Sequence, residues 1–137
     1  MTFLAYALLG FGLYASSFHY GFILDDEFQI LSNPQVQGLS QIFLNFTNST
    51  MARVDGTESV GGVYYKPVMM IFYNLLWNGG GGSPVVFHVF QLIVHILNSF
   101  LVFVLFQKFF PSNKNLWAFF AGAFFLAHPI NSEAVLM

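Results

Sequence analysis

The chain has 137 residues, of which 56% are hydrophobic and only 7% are charged, and its formal net charge is −2. A soluble domain carries about 25% charged residues, so four basic and six acidic side chains are too few to cover a globule of this size. Four scattered cations also provide no surface that could follow a phosphate backbone. The composition therefore excludes a soluble globular domain and a nucleic-acid-binding protein. It indicates a protein that is partly surrounded by lipid.

Three apolar segments are predicted to be membrane spans, because about 20 apolar residues cross the hydrocarbon core. These spans are residues 3–24, 85–107 and 116–130. A secretory signal peptide is the alternative for the first, but that segment lacks a basic start and is long for one. Ser83 and Pro84 form a helix start before the second span. In the third, Ala118 and Gly122 make a small-xxx-small face suited to close helix packing.

The loops between the spans predict their orientation. The short connector after the second span holds Lys108 and Lys114 and no acid, which is typical of the cytoplasmic side. The loop of residues 25–84 holds five of the six acids, so we expect it on the opposite side. Two glycosylation sequons, beginning at Asn45 and Asn48, are compatible with that side. The sequence thus predicts an all-α polytopic membrane protein with one long extracytoplasmic loop.

Two segments of this loop have helical patterns. Residues 39–46 carry apolar side chains at positions i, i+3, i+4 and i+7, the pattern of an amphipathic helix. Residues 68–77 are too short to span a bilayer and too apolar to lie in water, so an interfacial or re-entrant helix that begins at Pro67 is expected. The glycines at 79–82 are interpreted as a flexible linker, and close approach of the backbone to a ligand is the alternative.

Three adjacent carboxylates, Asp25, Asp26 and Glu27, stand where the first predicted span leaves the membrane. Carboxylates that repel one another at a hydrocarbon boundary should have a raised pKa or bind a cation. Such a group can act as a general base toward a hydroxyl, or Asp25 and Asp26 can hold a divalent metal. A solvated acidic collar that ends the helix is the alternative.

The second span carries a polar face formed by His88, Gln91, His95 and Asn98, at spacings of 3, 4 and 3 residues. Lipid cannot satisfy these groups, so they must face protein or water. They line a substrate cavity or make interhelical hydrogen bonds. The two histidines lie about 10 Å apart along the helix axis, which is too far to share one metal ion.

The third span is interrupted by proline. Pro129 disfavours helix at His128, so polar groups including Glu133 are expected at the extracytoplasmic mouth of the span, as in broken helices that line cavities. A simple helix-ending turn is the alternative. Lys66 faces the same side and can meet a phosphate as a point charge, or it is simply solvated.

Four motifs in register resemble a known family. They are Phe22-Ile-Leu-Asp25-Asp26, Tyr65-Lys66-Pro67-Val68, Phe87-His88-x-x-Gln91-x-x-x-His95 and Ala127-His128-Pro129-Ile130-x-x-Glu133. Together they resemble the N-terminal part of polytopic glycosyltransferases of the GT-C fold, closest to the transmembrane and tetratricopeptide-repeat O-mannosyltransferases and their bacterial relatives. The resemblance implies transfer of a sugar, with mannose as a candidate, from a polyprenyl- or dolichyl-phosphate donor to a protein or glycan hydroxyl. It implies a bacterial inner membrane or ER membrane enzyme whose active side is extracytoplasmic.

The resemblance also implies roles for particular residues. Asp25 or Asp26 would be the essential carboxylate, with both as candidate ligands for a divalent metal. The residues implied in donor binding are Glu27, Tyr65, Lys66, His88, His95, His128 and Glu133. The chain departs from the family in two places. Lys66 stands where arginine is usual, so it cannot make a bidentate fork to phosphate, and Asn131 stands where histidine is common.

The extent of the chain leads to a further expectation. Residues 134–137 look like the first turn of another apolar segment, and three helices leave little room for a polar cavity. We therefore expect residues 1–137 to be the N-terminal piece of a larger membrane domain. One alternative is a small non-catalytic membrane subunit or degenerate relative that packs against a partner through Ala118 and Gly122. The other is a transporter or proton-path element that uses the face of His88 and His95 together with the acidic residues as a relay.

Overall fold

The computed structural model describes residues 1–23, 26–50, 64–110 and 115–136. This part of the chain is helical and contains no β-strand, which confirms the all-α prediction. The α-helices are α1 (Thr2–Tyr14), α2 (Pro34–Gln37), α3 (Pro67–Gly80), α4 (Pro84–Phe109), α5 (Asn115–Ala127) and α6 (Pro129–Leu136). The shorter elements are the 3₁₀ helices Ala15–His19 and Leu39–Phe46 and the π-helical turn Glu27–Leu31. The chain divides into a first unit, residues 1–20 and 88–137, and a second unit, residues 21–87.

Helix α4 is the one helix in the described ranges that is long and apolar enough to cross a membrane. Its 26 residues contain the whole of the predicted span 85–107. Helix α5 is apolar but shorter, and it ends at Ala127. Helix α1 ends at Tyr14 and passes into a 3₁₀ helix, so residues 3–24 do not form one continuous α-helix. The three-span topology stays a prediction.

The first unit is held together by close approach of α5 to α1 and α4. Ala118 and Gly122 are both buried, and a Cβ atom added at Gly122 would lie 2.7 Å from the carbonyl oxygen of Ser99 and would collide with the hydroxyl of Tyr6. That hydroxyl donates to the Phe119 carbonyl at 2.9 Å. The predicted small-residue packing face is therefore confirmed, and neighbouring helices of the same chain occupy it.

The second unit is organised by buried side-chain amides. Asn33 caps α2, since its Oδ1 accepts from the Gln35 amide at 3.0 Å while its Nδ2 donates to the Thr50 carbonyl at 2.7 Å. The Asn74 amide on α3 donates to the carbonyls of Gln35 and Gly38 at 2.9 and 2.8 Å. These bonds hold α2 and Gly38, the residue before the 3₁₀ helix Leu39–Phe46, against α3. An apolar cluster completes the unit, formed by Ile30, Val36, Met70 and Phe87.

Residues 39–46 form a 3₁₀ helix, so the predicted amphipathic α-helix is wrong in type. A 3₁₀ helix has three residues per turn, which places Ile42 and Asn45 on one face and Phe43 and Phe46 on another. Asn45 is only 2% exposed, whereas Phe43 is 79% exposed. The first glycosylation sequon therefore begins at a buried asparagine.

The glycine segment is an ordered turn, which corrects its interpretation as a flexible linker. Gly79 and Gly80 are the last residues of α3. Gly81 follows with φ +62° and Gly82 with φ +77°, left-handed conformations that glycine adopts without strain. The amide of Gly82 donates to the Trp77 carbonyl at 3.1 Å, so the glycines cap α3 and α4 begins two residues later.

Candidate functional site

The predicted site residues fall into both units of the fold. Asp26, Glu27, Tyr65 and Lys66 belong to the second unit, and His88, His95, His128 and Glu133 belong to the first. Asp25 lies outside the described residues. Glu133 lies on α6, in the second turn after the proline that starts this helix.

Asp26 stands at the start of the π-helical turn Glu27–Leu31 and is half-buried. Its Oδ2 lies 3.5 Å from the backbone nitrogen of Ile23. Burial raises the pKa of the Tyr73 phenol above its ordinary value of 10.0, and the negative charge of Asp26 raises that pKa further. The charge of Asp26 therefore acts on the ionisation of the Tyr73 hydroxyl. Glu27, the next residue, is exposed.

Tyr73 joins the candidate site residues through this electrostatic effect of Asp26, and no sequence motif selects it, because it lies within the segment predicted to be an interfacial helix. Its ring packs against Phe87 with centroids 5.8 Å apart. The signal in the sequence is weak. One tyrosine within an apolar helix does not reveal that a carboxylate more than 40 residues earlier folds close to it.

Lys66 immediately precedes α3 and its side chain is exposed. Its backbone amide donates to Thr50 Oγ1 at 3.2 Å, and its Nζ lies 5.6 Å from the centroid of the Tyr64 ring, a cation–π contact. Tyr65 is tied down differently, because its hydroxyl donates to the Phe46 carbonyl at 3.0 Å. The ammonium of Lys66 is thus available to an anion, whereas the Tyr65 hydroxyl is engaged in a hydrogen bond within the fold.

The polar face of α4 is only partly as predicted. His88 and His95 are buried and Gln91 is half-buried, but Asn98 is exposed. An α-helix turns by about 100° per residue, so position 98 diverges from the histidines whereas Ser99 falls into line with them. Ser99 is fully buried and its hydroxyl donates to the His95 carbonyl at 2.8 Å.

His88 and Gln91 form the part of this face that has unused hydrogen-bonding capacity. Both ring nitrogens of His88 and the Oε1 of Gln91 are buried without a hydrogen-bond partner in the described ranges. Buried polar atoms are nearly always paired in native proteins. These two side chains therefore remain candidates for contact with a polar group.

His95 has a different role, because it joins two helices. Its Nε2 lies 3.1 Å from the Leu126 carbonyl oxygen, and the Tyr14 hydroxyl donates to the same oxygen at 2.8 Å. A carbonyl only accepts hydrogen bonds, so Nε2 carries the ring proton. In an uninterrupted helix this carbonyl would accept from the amide of Ile130, but that amide points to His128 Nδ1 at 3.2 Å. The structure gives His95 the interhelical role that was the alternative to cavity lining.

The predicted break at Pro129 is confirmed, since α5 ends at Ala127 and α6 begins at Pro129. Proline has no N–H, so the Phe125 carbonyl four residues earlier loses its helical partner. The side-chain amide of Asn131 replaces it and donates at 2.9 Å. Asn131, where the chain departs from the pattern of the family it resembles, thus has a structural role at the break. The His128 ring lies next to the break and packs edge-to-face against the Phe124 ring, with the two ring centroids 4.9 Å apart.

A cavity of about 430 Å³ adjoins this break within the first unit. It is lined mainly by side chains of α4 and α5, with His128 and Asn131 at one end; the principal apolar residues are Val102, Phe106, Phe124 and Phe125.

A metal centre finds no support in the described ranges. They contain no group of three His, Asp or Glu side chains that could hold a metal ion. The candidate pair Asp25 and Asp26 is only half described, so metal binding by this pair stays a prediction.

Comparison with known proteins places the chain beside one class of enzyme. It is 29% identical over 127 residues to protein O-mannosyl-transferase Tmtc1 of Drosophila melanogaster, a match that covers 93% of this chain and 14% of the relative. It is 33% identical over 129 residues to protein O-mannosyl-transferase Tmtc2 of the same species, covering 93% of this chain and 13% of the relative. Human protein O-mannosyl-transferase TMTC2 is 28% identical over 130 residues, covering 93% and 15%.

These matches confirm the resemblance to the transmembrane and tetratricopeptide-repeat O-mannosyltransferases. The chain spans about one seventh of the length of the relatives it matches. No protein-family model matches the chain. No solved structure gives a significant match either.

Proposed function

We propose that this chain forms part of an integral membrane glycosyltransferase that works on the extracytoplasmic side of a bacterial inner membrane or the ER membrane. The donor is a polyprenyl-phosphate-linked sugar, with mannose as the first candidate, and the acceptor is a hydroxyl of a protein or glycan. The names of the relatives support the reaction class. The span-length helix α4 supports the membrane setting, and the spans 3–24, 85–107 and 116–130 would be the first of a GT-C fold.

The observation that carries the proposal is the half-buried carboxylate of Asp26, whose negative charge raises the pKa of the Tyr73 phenol. A carboxylate that is partly dehydrated is a stronger base than one in water. We assign the role of general base to Asp26 or its neighbour Asp25, and that of an orienting group to the Tyr73 hydroxyl.

The reaction is a direct displacement at the anomeric carbon. The carboxylate takes the proton of the acceptor hydroxyl as that oxygen bonds to the anomeric carbon. The bond from this carbon to the phosphate oxygen breaks, and the lipid phosphate leaves with the electron pair. The exposed ammonium of Lys66 is suited to balance the charge that develops on the phosphate, as a point charge without a bidentate fork.

The test is a transfer assay on the full-length protein in nanodiscs, with polyprenyl-phosphate mannose and an acceptor peptide rich in serine and threonine. General-base catalysis contributes about 10²- to 10⁴-fold, so Asp25→Asn or Asp26→Asn should lower kcat by at least about 100-fold. Asp55→Asn, the same chemical change in the same predicted loop, is the control and should retain activity. Normal turnover in both Asp25→Asn and Asp26→Asn would refute the assignment.

Each of the two alternatives loses one supporting observation. The space at Gly122, on the face where a partner subunit was predicted to pack, is filled by Tyr6 and by the backbone of Ser99. A proton path along α4 would need His95 to pass a proton onward, but its Nε2 faces a backbone carbonyl. A carbonyl of this kind accepts a hydrogen bond and does not relay a proton.

A further inference from the structure

The sequence contains two Asn-x-Ser/Thr sequons, which begin at Asn45 and Asn48 in the predicted extracytoplasmic loop. Both asparagines belong to the second unit and lie within the described residues. A glycan on asparagine is bulky and polar, so it has to stay at the protein surface. The surroundings of the two side chains therefore decide which of them can carry a glycan in the folded protein.

The side chain of Asn45 is enclosed by the fold. It is 2% exposed, and both the oxygen and the nitrogen of its amide are buried. A glycan is joined to the Nδ2 atom, so its first sugar would have to occupy the space that packed neighbours fill. Burial of sugar hydroxyls without hydrogen-bond partners also costs free energy. A chain with a glycan on Asn45 is therefore incompatible with this structure.

Asn48 offers its amide nitrogen instead. Its side chain is half-buried in the turn that follows the 3₁₀ helix Leu39–Phe46. Its Oδ1 lies 3.4 Å from the hydroxyl oxygen of Thr47, whereas its Nδ2 makes no hydrogen bond within the part of the chain that the structure describes. N-glycosylation changes Nδ2 and leaves Oδ1 a carbonyl oxygen. The fold therefore loses no hydrogen bond when a glycan is attached to Asn48.

The hydroxyl of the second sequon indicates when the glycan is attached. Thr50 is 2% exposed, and its Oγ1 accepts from the amide of Lys66 at 3.2 Å. Its carbonyl accepts from Asn33 Nδ2 at 2.7 Å. The hydroxyl that defines the sequon is thus closed off once the second unit has folded. Transfer to Asn48 must therefore precede folding, and folding then retains the chains that are modified at this position.

We propose that Asn48, and not Asn45, carries an N-linked oligosaccharide, supplied from a lipid-diphosphate-linked donor by a separate transferase of the ER lumen. The Nδ2 atom bonds to the anomeric carbon of the oligosaccharide and gives one proton to a base of that transferase. The bond from this carbon to the diphosphate oxygen breaks, and the lipid diphosphate leaves with the electron pair. The inference rests on the ER form of the proposed function for the side of the loop, and it is independent of the reaction that this chain catalyses.

The test is site-specific glycan mapping of the full-length protein, expressed in animal cells and purified in its folded, monodisperse form. After denaturation, peptide N-glycosidase in heavy-oxygen water converts each glycosylated asparagine to a labelled aspartate. Tandem mass spectrometry of the peptide that contains both positions then assigns the label to 45 or 48.

We expect the label at position 48 and none at position 45. Asn48→Gln should remove it. Thr47→Val is the matched control, because it destroys the first sequon through an exposed residue and leaves the buried Asn45 in place; it should keep the label at 48. A label at 45 in the folded protein, loss of the label at 48 in Thr47→Val, or wild-type protein with no label at either position would overturn the proposal.

The outcome is separable from that of the proposed function. A protein that transfers the sugar but has no label at Asn48 keeps its assigned reaction and loses this modification site. A protein that is labelled at Asn48 but turns over normally in both Asp25→Asn and Asp26→Asn keeps the modification site, and its assigned general base would be wrong.

Discussion

The carbonyl of Leu126 is the point where three helices of the first unit are joined, and its hydrogen bonds can be removed one at a time. Tyr14→Phe removes the bond at 2.8 Å and leaves the one from His95 at 3.1 Å in place. A net hydrogen bond contributes about 0.5–1.5 kcal/mol, and interhelical bonds in membranes average about 0.6 kcal/mol. Because the carbonyl keeps one donor, we expect Tyr14→Phe to lower the free energy of unfolding by about 0.5–1 kcal/mol.

The second substitution changes the size of the first effect. His95→Phe removes the other donor while keeping an aromatic ring against Phe125, whose centroid lies 5.5 Å from the imidazole. In the double variant the carbonyl is buried with no donor, and an unsatisfied buried acceptor costs about 1–3 kcal/mol. The double variant should therefore be less stable than the sum of the single changes, with a coupling energy of about 1 kcal/mol.

The assay is reversible unfolding of the protein in mixed micelles, followed by helical circular dichroism as the fraction of SDS increases. Tyr20→Phe is the control, since Tyr20 is exposed and the same hydroxyl is lost; its effect should stay within about 0.5 kcal/mol. Strict additivity of Tyr14→Phe and His95→Phe would refute the idea that the two side chains share one acceptor.

Three further predictions follow from single positions. In thermal unfolding, Gly122→Ala should destabilise the protein by about 1–3 kcal/mol through overpacking. Gly12→Ala is the control, because a Cβ atom at Gly12 meets open space, and it should be neutral or stabilising in the same measurement. The phenolate absorbance assigned by difference from Tyr73→Phe should titrate above pH 10.0, and Asp26→Asn should bring that titration to lower pH. Since the folded-state pKa of Tyr73 is the higher one, stability is full below the unfolded pKa and falls as the pH rises through the folded pKa; a Tyr73 titration unmoved by Asp26→Asn would contradict the electrostatic effect of Asp26 on this phenol. Asn74→Ala should cost about 1–3 kcal/mol in chemical unfolding, because two buried carbonyls lose their donor, and an unchanged midpoint would contradict its structural role.

The helices that the sequence predicts well are those with strong local signals. Pro67 and Pro84 each occupy the first residue of a helix, as the fixed φ of proline and its missing N–H favour. The break at Pro129 follows from the same chemistry. The sequence also predicts the packing face of Ala118 and Gly122, because two small residues four positions apart on an apolar helix favour close packing of helices.

The features that the sequence did not reveal depend on contacts between distant residues. Hydrophobic periodicity does not distinguish a 3₁₀ from an α-helix over eight residues, and burial of Asn45 in place of Phe43 follows from that difference. The convergence of Tyr14 and His95 on one carbonyl joins residues 112 and 31 positions apart from Leu126. No local pattern encodes that pairing.

Asn131 shows how one local rule and one distant requirement combine at the candidate site. Pro129 leaves the Phe125 carbonyl without its helical donor, and the chain must supply another because the carbonyl lies within an apolar unit. An asparagine two residues after the proline does so at 2.9 Å, and the same turn leaves the Ile130 amide free to bind His128 Nδ1. The tautomer of the neutral His128 ring, with its proton on Nε2, is therefore fixed by backbone geometry that begins with the missing N–H of Pro129.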